Sequence, residues 1–160
     1  MRRMFSKKQI EEISLEKIEA TENLKVFENI VDKDGHKRFI EGDITLKTIT
    51  GVSKIYGKWA LSGSHLLIVL CIAIENATDV SNKNLCDIDM PNWIKDKIVA
   101  LGSTVVSRES FYAFGSDNTT QQITIYLEKI SSTIKINTST FTSNAERTCR
   151  ISYDLLIDNE

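Results

Sequence analysis

The stretch HLLIVLCIAIE, residues 65–75, constrains this chain most. From Leu66 to Ile74 it carries no charge and almost no polarity. An antiparallel strand with one wet face alternates apolar and polar residues, and this one does not. As a membrane span it is too short, about half of the ~20 residues a helix needs. Read as a strand, it must be dry on both faces. One face packs into the domain's own core. The other needs a short helix, a loop or a second subunit, and the residues leave those alternatives open. The reading adopted is a subunit contact that includes Leu66, Ile68, Leu70 and Ile72.

The segments after residue 43 follow a period of two. DITLKTITGV (43–52) sets Ile44 and Leu46 against Thr45 and Lys47. QQITIYLEKI (121–130) turns Ile123, Ile125 and Leu127 inward. STIKINTST (132–140) repeats the pattern with Ile134 and Ile136. In TCRISYDLLID (148–158), Cys149, Ile151, Tyr153, Leu155 and Ile157 share one side. Such alternation marks half-buried strands, and their regular spacing points to a sandwich or barrel. SGS, SNKN, GSDNTT and TSNAE supply the turns. MPNWIKDKIV (90–99) breaks the pattern with the chain's one proline, Pro91, at a position suited to a helix start. The predicted fold is mainly β, an antiparallel β-sandwich of jelly-roll type over residues 43–160. A short N-terminal helix and a connector precede it in residues 1–42.

That helix covers residues 6–22. Ser6 and Gln9 have capping-box spacing, and Ile10, Ile13 and Ile18 form a short stripe. A helix this short is marginal alone in water, so the stripe needs cover. Ile10 and Ile13 are read as further subunit contacts. DKDG in the connector reads as a turn. Asp32, Asp34 and Gly35 also look like part of a calcium loop, but the glycine falls too early and the twelfth position is Asp43, not glutamate.

Composition narrows the function. The chain has 160 residues and a net charge of −2. That balance argues against a general nucleic-acid binder, which needs a surplus of basic residues. Cys71, Cys86 and Cys149 have no CxxC spacing and read as free thiols of a reducing compartment. MRRMFSKKQIEE has no apolar stretch behind its basic residues, so no secretory signal is expected and synthesis is placed in the cytoplasm. No membrane span is predicted. Two histidines, His36 and His65, lie far apart, and no HExxH, P-loop, GxGxxG or GxSxG motif is present. Ser62 close to His65 is no evidence of a catalytic couple, because such couples usually assemble from distant segments. Cys71 and Cys149 read as inward, inert thiols. Asp87 and Asp89 read as outward strand carboxylates. The chain is expected not to be an enzyme, with no catalytic residue, no metal and no cofactor. Phe111, Tyr112 and Phe114 leave one aromatic face for the core and one for the surface or a contact. Polar loops at 115–122 and 140–147 are the candidate ligand contacts.

Four segments taken in order carry a resemblance: VDKDGHKRFIEGD, GKWALSGSHLLIVL, NLCDIDMPNWIKDKIV and CRISYDLLID. Together, over about residues 30–158, they resemble structural β-domains of phages and prophages of Gram-positive bacteria, of tail-fibre, baseplate or head-fibre type. Met90 stands where leucine is usual, and NAT (76–78) where a glycine-containing turn is usual. The resemblance implies a virion structural protein, a fibre or baseplate component that serves host attachment or particle assembly. It implies a homotrimer whose partners are itself, other virion proteins and a host cell-wall glycan. A free-standing carbohydrate-binding module is the alternative.

Overall fold

The structure is a computed structural model that describes His36 and residues 39–100 and 104–157. The helix read over residues 6–22, its Ile10 and Ile13, and the DKDG turn lie outside the described residues. The chain parts between Phe39 and Ile40. The strands and helix belong to the second unit, with the first strand beginning at the boundary.

Mainly antiparallel β structure is what these residues form. Eight strands run in the order β1 (Phe39–Asp43), β2 (Val52–Ser62), β3 (His65–Ile74), β4 (Asn84–Ile88), β5 (Val105–Gly115), β6 (Thr120–Ile130), β7 (Thr133–Thr138) and β8 (Arg147–Leu156). One short helix, α1 (Asn92–Lys97), sits between β4 and β5, with Pro91 as its N-cap. All eight strands belong to one sheet, ordered β1-β2-β3-β8-β5-β6-β7-β4. The two-sheet division expected from the sequence is therefore not how the strands are hydrogen-bonded. Yet β5 and β8 share only three pairs, Ala113–Cys149, Phe114–Thr148 and Gly115–Arg147. The halves β1-β2-β3-β8 and β5-β6-β7-β4 thus join at one corner and splay beyond it.

The space between the halves is the core. Tyr153 of β8 crosses it, its hydroxyl donating to the Ile125 carbonyl of β6 at 3.2 Å. Its ring meets Phe111 edge-on at 5.6 Å. At the other margin, residues 44–49 tie β2 to β4. Ile44 N–H donates to the Gly57 carbonyl (3.0 Å) and Lys47 N–H to the Leu85 carbonyl (2.7 Å). Lys47 also pairs with Asp87 at 2.7 Å. Alternation predicts a strand here. Ile44 is buried as expected, but apart from the Ile49–Val52 bridge the segment lies outside the named strands, and FIEGD, expected as connector, is β1 instead. Gly42 is the reason β1 can lie here: a Cβ on it would come within 2.5–2.8 Å of the Trp59 indole. That indole donates to the Asp89 carbonyl at 3.0 Å and closes the same margin.

The apolar run becomes β3, paired on both sides along its whole length by β2 and β8. Leu66, Ile68, Leu70, Ile72 and Ile74 point inward and are fully buried by the chain's own core. The subunit contact expected at Leu66, Ile68, Leu70 and Ile72 is corrected accordingly: side chains already enclosed cannot meet a partner. The alternate face, with Leu67, Val69, Cys71 and Ala73, is half-buried or exposed. It is less dry than the sequence suggests, because outward Lys58 of β2 and Arg150 and Ser152 of β8 flank it. Burying the inner five side chains contributes roughly 1.5–3 kcal/mol each by transfer alone.

Candidate functional site

Both polar loops singled out in the sequence reach the same end of the sheet. The first connects β5 to β6 and the second leads into β8. They meet around Arg147, the first residue of β8, whose side chain is fully buried. Its Nη1 donates to the carbonyls of Thr119 (3.0 Å) and Ala113 (3.3 Å). Nε donates to Gln121 Oε1 (3.1 Å) and Asn144 Oδ1 (3.0 Å). Nη2 donates to Thr119 Oγ1 (3.0 Å) and to Asn144 Oδ1. All five guanidinium hydrogens are thereby used. Gln121 returns a bond to the Thr142 carbonyl (2.7 Å), and Ser116 N–H donates to the Glu146 carbonyl (3.0 Å). The one carboxylate within 4 Å of this cation among the described residues is that of Asp117, at 3.8 Å. Thr119 holds that carboxyl below the usual aspartate range by hydrogen bonds from its hydroxyl (2.8 Å) and its N–H (3.1 Å), and Arg147 adds to the effect.

Beside this knot the outer face sinks into a depression of about 490 Å³. Register explains its shape. Ser53 of β2 lies opposite Ala73 of β3, Ala73 opposite Thr148 of β8, and Thr148 opposite Phe114 of β5. Three small side chains in a row make the floor, and one phenyl ring makes the wall. Phe114 is 64% exposed and Tyr112, two residues away on the same face, 58%. Phe111 is the inward member of the aromatic trio, against Tyr153. The rim toward the loops carries Glu75, Ser116 and Glu146. The arrangement can bind a small ligand by stacking on Phe114 and by accepting hydrogen bonds. The sequence points to Phe114 and both loops. It does not point to Ala73, Glu75 and Ser53, whose role comes from strand order, and no local signal marks them.

The other candidate residues fall elsewhere. His65 sits at the opposite end of β3, where its Nδ1 faces Asp154 at 3.2 Å in solvent. Ser62 is its neighbour across the hairpin, whose turn needs positive φ at Gly63. Cys149 and Cys86 are buried, and burial pushes both thiols up to about 12, so neither forms a nucleophilic thiolate near neutrality. Cys71 corrects the sequence reading, since it lies on the outer face of β3 and is only half-buried. Asp87 is engaged by Lys47 and by Asn84. Among the described residues, no group of three or more His, Cys, Asp or Glu is placed to hold a metal ion. No described helix is long and apolar enough to cross a membrane.

No family model matches the chain, and no curated protein matches it either. Among solved structures it is similar to the fibre head protein of bovine atadenovirus type 4, with 17% identity and a TM-score of 0.38 over 71% of this chain and 97% of that one. It is also similar to the reovirus attachment protein sigma1, solved with alpha-2,3-sialyllactose, with 4% identity and a TM-score of 0.35 over 76% of this chain and 67% of that one.

Proposed function

We propose that this chain is a non-catalytic binding domain of a phage particle, a fibre or baseplate component that attaches the virion to its host. The observation that carries the reading is the end groove. Two loops that would otherwise be free are fixed by a saturated buried arginine beside an exposed phenyl ring. A site held in place before its ligand arrives loses less order on binding, and an aromatic wall over a small-residue floor suits the C–H face of a sugar ring. The four-segment resemblance to phage structural domains supplies the biological setting. In this reading the two halves of the sheet are the layers of a jelly-roll type sandwich. The protein works as a homotrimer, and the surface left for contacts, from the middle of β3 to its far end, is Leu67, Val69 and Leu156. Val69, the nearest of the three to the groove, lies roughly 13 Å along the strand from Ala73 and Leu67 roughly 20 Å, so the groove stays open. Partners are a host cell-wall glycan and other virion proteins.

The exposed Phe114 and Tyr112 equally favour a second reading, a free-standing carbohydrate-binding module, which would work as a monomer. Pull-down of the full chain on host cell walls tests the first reading, with released sugar assayed in the supernatant. Saturable binding lost in Phe114→Ala supports it. No binding to any wall preparation overturns attachment, and sugar release abolished by one carboxylate substitution overturns the non-catalytic role.

A further inference from the structure

We infer that the end groove takes an amino sugar bearing a free ammonium group, rather than a neutral or acidic sugar; this rests on the attachment reading and names its ligand class. The sign of charge decides it. One residue beyond the last β3–β8 pair, Ile74–Arg147, come Glu75 and Glu146. By strand parity both point to the outer face, with Ala73 and Thr148, and both line the groove. Like charges on neighbouring strands repel. Yet neither carboxylate has a hydrogen-bond or ion-pair partner among the described residues. The cations around them are committed or displaced. Every N–H of Arg147 is used by loop oxygens. Lys54, next to Ser53, turns its ammonium to the Ile44 carbonyl at 2.9 Å. Arg150 lies two positions further along β8, across from Cys71 and outside the groove.

The groove therefore offers two open carboxylates against one buried cation, Arg147, whose hydrogens are taken and which Asp117 partly balances, together with the hydroxyls of Ser53, Ser116 and Thr148 and a phenyl face. An ammonium on a pyranose ring fits that set. The charged nitrogen meets the carboxylates through charge-assisted hydrogen bonds. The ring's C–H face covers Phe114, which itself favours a nearby cation. An acidic sugar would place like charge against Glu75 and Glu146, and N-acetylation would remove the charge that the site selects.

The test is titration of the full chain with glucosamine, N-acetylglucosamine and glucuronate, followed by backbone amide shifts. Glucosamine is expected to move the amides of Ser116, Glu146 and Thr148 at millimolar concentration. N-acetylglucosamine should bind about tenfold more weakly, the value of one charge-assisted contact, and glucuronate should not bind. Glu75→Gln and Glu146→Gln, both exposed and isosteric, should each lose the preference for the amine, with unfolding midpoints unchanged as the control for folding. Equal binding of glucosamine and N-acetylglucosamine, shifts confined to another face, or equal shifts with a lysine amide overturns the inference. Wall binding that survives both Gln substitutions unchanged overturns it while leaving attachment standing. Glucosamine binding without any wall binding supports the groove's chemistry and sinks the attachment role.

Discussion

At the scale of single residues, Arg147 decides the site. A buried guanidinium is costly unless its hydrogens are satisfied, and here backbone and side-chain oxygens of two loops do that, with a partly exposed Asp117 at 3.8 Å against the charge. Arg147→Met strands the Thr119 and Ala113 carbonyls and should lower stability by about 3 kcal/mol in urea titration, since each unsatisfied buried group costs about 1–3 kcal/mol. Gly115→Ala attacks the same knot from the backbone. Its Cβ would come within 2.2 Å of Asp117 Oδ1 and 2.7 Å of Arg147 Nη1. A loss of about 1–3 kcal/mol is expected, as for other overpacked sites, with amide shifts spreading through residues 115–121. Acid should loosen the loops as well. Asp117 has a carboxyl pKa held low in the folded chain by Thr119 and Arg147, so the unfolded chain binds more protons as pH falls. Stability from this group is complete above the ordinary aspartate value near 3.9 and is lost as pH drops through the folded value. Melting temperature followed from about pH 5 downward should fall less steeply in Asp117→Asn than in the parent chain. A parallel pair of curves would remove Asp117 from this role.

At the scale of elements, β3 shows what a sequence can and cannot tell. Its length and strand character come from the short uncharged run itself, whereas the inward sets of β6, β7 and β8 come directly from period-two alternation, because each of those strands has one face in the core. In β3 itself alternation is hidden, since both parities are apolar. Which parity faces inward is therefore unreadable, and the expected subunit contact falls on the wrong one. Residues 44–49 fail differently: their alternation is real and Ile44 is buried, but the segment serves as a tie between β2 and β4. The groove is legible only in its loops and its aromatic, because its floor depends on four strands meeting in register. Paired substitutions separate the faces of β3. Ile68→Ala empties a core position and should cost about 3 kcal/mol in urea unfolding. Val69→Asp, at a half-buried outer position flanked by Lys58 and Ser152, should cost clearly less than that, about 1 kcal/mol. If Val69 lies in a contact between copies, the same substitution should lower the mass seen by light scattering. A monomeric parent chain would end that reading.

At the scale of the whole molecule, a shallow groove suits an attachment protein only if several act together. About 490 Å³ walled by one phenyl ring can hold one sugar residue, and such a contact is expected to be millimolar, about 4 kcal/mol. Linking sites changes the outcome without new contacts, because the second and third binding events become intramolecular. Avidity can then exceed the single-site affinity by about 10² to 10⁴, provided that the sites can engage one surface at once. The groove lies at one end of β3, whereas the exposed Leu67 and Leu156 lie toward the other and the half-buried Val69 lies midway, all on the outer face, so association through that set need not cover the groove. A trimer joined at that end would present three grooves together. The intact protein should therefore bind host cell walls with half-saturation at micromolar concentration or below. The Val69→Asp form, if monomeric, should need at least about a hundredfold more. Titration of free glucosamine should give the same amide-shift curve for both forms, since the groove itself is unchanged. Equal wall affinity for trimer and monomer would show that one site suffices, and the carbohydrate-binding module would then be the better description of this chain.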